Sequence, residues 1–377
     1  MSSLQSDLPV PFPSLPRADV QRENRAGTAV LIALGLLVAN YLSFNLFGIG
    51  GSVLIISRGA VIFLLALSFA KTPTVNTRVI YLLLSCLAGA ILGGIENNIA
   101  QNLTFIVIVI GCLRHVNLDS IVDRSLVVFL FAMGLIFALL TLGLTENGID
   151  TADGRNRASF GFSNVNAFTS LVYAFITLAL YRWRGQNVVK YVLFTILSYV
   201  VYLYTDSRTL VASILLFFFA HVLYAVLPKG MLKVMALLLL LLPLMLTQMS
   251  GYIAETWPLV DIALSFRPSY SAVFIEGFSA YNYLLGGQSP AAGQTIDNSF
   301  LLIQGAVGLP FLLALTWVAY RKIVESISRN RPEVFCLILS FWYFSYSESS
   351  MVRPESIIGV VFWLLLSVKI SESTRSV

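Results

Sequence analysis

Residues 208–248 read RTLVASILLFFFAHVLYAVLPKGMLKVMALLLLLLPLMLTQ. Two apolar runs, near 208–227 and 231–250, flank a short basic turn that holds Lys229 and Lys233. Each run is about the 20 residues that a helix needs to cross the hydrocarbon of a bilayer. The far end of the first run carries Arg208. Further spans are expected near 28–48, 52–70, 79–95, 99–113, 125–145, 163–181, 188–204, 298–320, 333–347 and 355–370, about twelve in all. The chain has 377 residues, of which 57% are apolar and 11% charged. A soluble chain carries roughly 25% charged residues. The expected fold is therefore an all-α polytopic membrane protein. One membrane domain covers 28–370, between cytoplasmic tails at 1–27 and 371–377.

Alternate loops fall on opposite faces, and the basic residues divide unevenly between them. Arg17, Arg22, Arg25, Lys71, Arg78, Arg114, Arg124, Arg182, Arg184, Lys190, Lys229 and Lys233 lie on one side. Arg321, Lys322, Arg329, Arg331, Lys369 and Arg375 join them, which makes 18 with every Lys included. Only Arg58, Arg155, Arg157, Arg208, Arg267 and Arg353 fall on the other side. Cytoplasmic loops are enriched in Lys and Arg, so the first face is cytoplasmic and both termini lie there. The formal charge of +5 is mostly this cytoplasmic set and gives no reason to expect nucleic acid.

Other chemistry is sparse. Cys86, Cys112 and Cys336 all lie in apolar runs without metal or disulfide spacing. His115 and His221 are the two histidines, too few for a His-rich metal site. The start of the chain, with Pro9, Pro11, Pro13 and Pro16, lacks the apolar core of a signal peptide. No internal repeat is visible, which counts against an inverted-repeat transporter.

Five of the six external arginines sit where a helix least favours them. A helix N-terminus carries partial positive charge and prefers an acidic neighbour. Yet Arg58 lies just inside the second span and Arg208 in the first turn of the eighth. Arg353 precedes Pro354 before the twelfth, and Arg155 and Arg157 precede the sixth. An anion between each guanidinium and the free helix N–H groups makes the placement favourable. Arg matches phosphate oxygens in a bidentate fork that Lys cannot form. Blander readings remain: Arg58 as a snorkelling contact to lipid headgroups, and Arg353 as the partner of Glu348 or Glu355.

Two external loops, 146–162 and 251–297, hold the neighbouring candidates. In Gly161-Phe162-Ser163-Asn164, the glycine permits close backbone approach and Ser163 or Asn164 can cap the next helix. Asp206 or Ser207 is a natural cap for the helix that opens at Arg208. The long loop carries Arg267 and Gly286-Gly287, and leads through Asp297-Asn298-Ser299 into a span with Gly305 and Gly308. Between them, Pro268 to Ala280 reads as an interfacial amphipathic helix with Tyr270, Phe274 and Phe278 toward lipid.

These segments, in this order, resemble the O-antigen polymerase and O-antigen ligase superfamily, the Wzy-like and WaaL-like membrane glycosyltransferases. The resemblance covers about residues 150–320. It rests on an Arg loop followed by Gly161-Phe162-Ser163-Asn164-Val165-Asn166-Ala167, on Ser207-Arg208 opening a helix, and on Arg267, Gly286-Gly287 and Asp297-Asn298. It implies a GT-C-like fold and metal-independent, inverting transfer, with no cofactor. The donor is a glycan on undecaprenyl pyrophosphate, and the acceptor is a hydroxyl of another lipid-linked glycan. The product is a surface polysaccharide, whether O-antigen, capsule or exopolysaccharide, made at the outer face of the cytoplasmic membrane. A chain-length regulator and a flippase are partners of such pathways. The ligases carry a His in the late loop where this chain reads Ile296-Asp297-Asn298-Ser299, so a polymerase is expected.

The expected site uses Arg155, Arg157, Arg208, Arg267 and Arg353 for the pyrophosphate, with Arg208 and Arg267 stabilising the leaving group. Asp297 is the first candidate base, equally suited to capping, and Glu276, Glu348 and Asn298 are further candidates for proton transfer or orientation. The alternatives are a ligase and a transporter or flippase of an anionic lipid-linked substrate. The latter predicts broken helices and basic residues near the bilayer midplane.

Overall fold

A computed structural model describes residues 17–50, 52–69, 84, 91, 98–114, 116–150, 156–183, 188–290, 296–368 and 370. The span expected at 79–95 lies almost wholly outside these residues, as does Arg155. The described chain is helical apart from one two-residue antiparallel ladder, Ile149–Asp150 with Arg157–Ala158. Among the described residues, five helices are long and apolar enough to cross a membrane: Gly27–Phe47, Leu118–Thr141, Val165–Arg182, Arg208–Val226 and Lys229–Gln248. Leu130, Phe131, Leu203, Phe219 and Leu238 stand exposed on the outside of the bundle. So broad an apolar surface is not tolerated in water and suits contact with lipid.

Two expected boundaries move. The first helix begins at Arg17, not near 28, because Arg17 to Arg25 is made largely of residues that tolerate a helix. The helix expected at 125 starts at Leu118, where the Asn117 side chain accepts from the Asp119 N–H and caps it.

The centre of the bundle is the helix Pro332–Ser347. It packs against Val165–Arg182, Arg208–Val226, Lys229–Gln248 and Leu309–Ser328, and nearly all of it is buried. Burial on all sides favours a partner within the bundle for each polar group, although the Tyr343 hydroxyl and Ser345 Oγ have none. Ser340 Oγ donates to Ser213 O at 2.8 Å and lies 2.8 Å from the Tyr173 hydroxyl. Trp342 Nε1 donates to Leu240 O at 2.9 Å. The helix Ile357–Ser367 is enclosed as well, and its 11 residues span only about 16 Å.

The expected continuous span at 298–320 is broken. A half-helix, Ser299–Val307, is followed by Gly308 and then the helix Leu309–Ser328. Gly308 has φ +90°, and Pro310 has no N–H to continue the ladder. The carbonyls left without helical partners are taken by the loop around Gly287 and Gln288. Gln288 N donates to Gly305 O at 2.8 Å and Gly287 N to Ala306 O at 3.1 Å. The loop is held a second time through side chains: the Tyr283 hydroxyl donates to Gln248 Oε1, and Gln248 Nε2 donates to Gln304 Oε1 at 2.7 Å.

Candidate functional site

The basic residues sort by end of the bundle. At one end, Arg182 pairs with Asp123 at 2.5 Å, the Tyr181 hydroxyl donates to Asp119 at 3.1 Å, and Lys322 and Arg329 pair with Glu325 at 2.8 and 3.3 Å. His221 lies against Tyr191 on the helix that carries Lys190. The other end, hereafter the arginine end, holds Arg58, Arg157, Arg208, Arg267 and Arg353. Short contacts tie its elements together. Ser163 N donates to Asn45 O at 2.7 Å, and the Tyr41 hydroxyl donates to Ala167 O at 2.7 Å. The Phe160 ring, three residues beyond Arg157, meets Tyr204 edge-on at 6.3 Å.

Arg267 is the most tightly specified of the five. Asp261 is buried, and its carboxylate accepts from Ser269 N at 3.1 Å and Ser269 Oγ at 2.5 Å. Ser265 and Phe266 both have φ +58°, an uncommon left-handed conformation for bulky residues. This turn starts the helix Arg267–Glu276, with Pro268 fixing its first residues. It aims the Arg267 side chain inward, where Nη2 lies 3.4 Å from Glu348 Oε1 and Nη1 lies 3.5 Å from Leu264 O. The Arg267 Nε is buried with no hydrogen-bond partner. Arg208, exposed at the first turn of its helix, donates through Nη1 to Ala263 O at 3.3 Å, four residues before Arg267. Ser207 occupies the N-cap position there, but its side chain makes no capping hydrogen bond.

Glu348 follows the central helix directly and is fully enclosed. Burial pushes its carboxyl up to about 8; the charge of Asp297 adds to this, while Arg267 and then Arg353 pull it down. The raised pKa weakens the pairing of Glu348 with Arg267 near neutral pH. The linkage has a definite sign. A carboxyl whose folded pKa lies above its unfolded value near 4.5 contributes stability that is complete below that value and is lost as pH rises toward 8. The folded protein should lose about 1 kcal/mol between pH 6 and pH 7 from this group. Thermal melts of the wild type and Glu348→Gln should show a pH-dependent difference in that window, and parallel melts would remove the assignment.

The expected Arg353 pairings are replaced: Glu348 takes Arg267, and Glu355 takes Arg58 at 2.6 Å. Asp297 is half-buried at the start of the half-helix, close enough to Glu348 to act on its charge. Asn298, not Asp297, is the cap. Its Oδ1 accepts from Phe300 N and Leu301 N at 3.0 and 3.2 Å, while its Nδ2 donates to Thr247 at 2.9 Å. Ser299 Oγ ties this helix start to Glu348 O at 2.6 Å. Glu276 is exposed at the opposite end of the helix from Arg267, about 13 Å along its axis. Phe274 faces inward rather than toward lipid, because Gly305 leaves room for its ring; Tyr270 does remain exposed. Arg157 is half-buried on its short strand.

Sequence reasoning missed Asp261, whose role depends on a turn that no local motif announces. It also missed Tyr41, which reaches the site only through tertiary packing. Among the described residues, no three His, Cys, Asp or Glu side chains gather as a metal site. No protein-family model, no curated protein and no solved structure matches the chain.

Proposed function

We propose that the arginine end binds the pyrophosphate of a polyprenyl-linked glycan. On this reading the chain is a GT-C-like membrane polymerase of about twelve spans, with this end facing the exterior of the cytoplasmic membrane. The observation that carries the reading is Arg267: a strained, Asp261-locked turn holds its guanidinium inward, 3.4 Å from Glu348, with its buried Nε left without a hydrogen-bond partner. Building so much support for one cation is reasonable if its charge is needed by an anion that arrives later. Arg208, at a helix start without a side-chain cap, and Arg157 supply further charge at the same end, as a diphosphate requires.

The step follows from these positions. The acceptor oxygen forms a bond to the anomeric carbon as the bond from that carbon to the phosphate oxygen breaks. The departing diphosphate keeps the electron pair, and the arginines neutralise its growing charge. The hydroxyl proton passes to Asp297. Asp297 is preferred to Glu348 as base because it is only half-buried, whereas Glu348 is sealed beneath Arg267 and serves to orient that residue. Incubating the purified protein with synthetic undecaprenyl-pyrophosphate repeat units should yield a ladder of products. Asp297→Asn should slow the ladder about 100-fold. An unchanged rate would remove Asp297 from the mechanism.

The break at Gly308 favours a second reading, transport of the same class of lipid, because broken helices line the sites of many transporters. Movement of a labelled lipid across vesicles with no product ladder would select it. Polymer transferred to a lipid A-core acceptor, without chain growth, would instead select a ligase.

A further inference from the structure

A separate polar cavity lies at the arginine end. It encloses about 240 Å³ and is lined by Tyr41, Asn45, Arg58, Asn102, Arg353 and Glu355, with Phe44 and Leu54 as its apolar wall. Arg58 is committed: its Nε and Nη2 both donate to Glu355 Oε1, at 2.9 and 2.6 Å, and its guanidinium carbon lies 5.6 Å from the centre of the Phe105 ring. Tyr41 is committed to Ala167 O, and Asn45 Nδ2 to Tyr41 O at 2.8 Å. Arg353 is not committed. It is half-buried and lines the same space, and its side chain makes no hydrogen bond or ion pair among the described residues. Two guanidinium groups against one carboxylate leave the cavity with a net positive charge.

A partly enclosed cation without a hydrogen-bond or ion-pair partner is costly unless something anionic meets it. The planar fork of Arg353 fits phosphate oxygens in particular. The cavity is smaller than the roughly 300–1,000 Å³ of pockets that hold drug-sized ligands, so it suits a phosphate and its ester linkage rather than a whole glycan. Its surroundings are apolar. Phe44 is 51% exposed, and the helix that carries Leu54 and Arg58 also exposes Val53, Ile55 and Ile56. A hydrocarbon chain can lie along that face while its phosphate enters the cavity.

We propose that this cavity binds the phosphate of a membrane lipid, with Arg353 as the phosphate ligand and the Arg58–Glu355 pair as the wall that positions it. The lining of this cavity does not include Arg267, Arg208 or Asp297, although the charge of Arg353 also acts on Glu348. The lipid is either a bulk anionic phospholipid or a polyprenyl phosphate, and the two share the chemistry on which the proposal rests.

Full-length protein would be released from nanodiscs of phosphatidylcholine doped with either phosphatidylglycerol or a polyprenyl phosphate, and bound lipids counted by native mass spectrometry. The wild type should retain one anionic lipid more than Arg353→Gln, with about tenfold weaker retention in the variant. Arg321→Gln, at the opposite end, should behave as the wild type. Selective loss of phosphatidylglycerol identifies a bulk lipid, and selective loss of polyprenyl phosphate identifies a dedicated one; either supports the site. Equal retention by the wild type and Arg353→Gln overturns it, as does equal retention of phosphatidylcholine. If Arg353→Gln fails to fold, Arg353→Lys keeps the charge without the fork. It should retain the lipid several-fold more weakly, and undiminished retention would refute the proposal.

Discussion

On the proposed polymerase reading, replacing Arg267 with Ala should lower chain extension about 1,000-fold while the protein still enters the membrane. Loss of one preorganised donor to a developing anion costs this order of rate. Arg267 has no substitute among its neighbours, because Arg208 is exposed and reaches the same region from a different helix. The structural cost should be smaller than that of an ordinary buried ion pair. Without Arg267, Glu348 loses the nearest charge that pulls its pKa down, and so it stays protonated and neutral. A neutral buried carboxyl is tolerated far better than an orphaned carboxylate. Arg267→Lys keeps the charge but not the planar fork, and should recover less than a tenth of the lost rate. The product ladder measures both variants, and membrane retention measured in parallel separates chemistry from folding. Normal ladders from both would remove the diphosphate from this site.

Gly308→Ala should cost about 4 kcal/mol or more and leave little folded protein, which places it among the most damaging single changes. A Cβ at this position falls 2.1 Å from Leu284 O and 2.7 Å from Leu284 C, and φ is +90°. All of these are backbone atoms, so no rotamer can relieve the clash. The fault repeats across the clasp, where a Cβ on Gly286 falls 2.5 Å from Ala306 O. Gly230→Ala is the control: nothing lies within 4 Å of its Cβ, and the residue sits within a helix. That change should be neutral or mildly stabilising. The comparison needs the yield of monodisperse protein in detergent and its melting temperature. Equal melts for Gly308→Ala and the wild type would show that the loop and the half-helix do not interlock.

Much of the fold was legible because hydrophobic runs of bilayer length have few other uses. The helices at 165–182, 188–205, 208–226 and 229–248 appear close to their expected bounds. The break at Gly308 was spelled out as Gly308-Leu309-Pro310 but was hidden by the apolar residues on both sides. An unbroken apolar run shows that a segment avoids water; it does not show that the helix within it is continuous. In the site, residue type was more informative than residue pairing. The concentration of arginines at one end followed from loop charge alone. Which carboxylate meets which arginine depends on helix rotation and on turns such as Ser265-Phe266, and these are set by packing across the bundle. Phe274 went astray for the same reason, since its inward face exists only because Gly305 stands opposite.

The enclosed helix Pro332–Ser347 has a consequence for biogenesis. Every long helix that walls it between residues 165 and 248 leaves the ribosome before it does. The faces those earlier segments turn toward it stay uncovered by this chain until Pro332–Ser347 is inserted. The core of the bundle is therefore completed late in synthesis rather than grown stepwise from one edge.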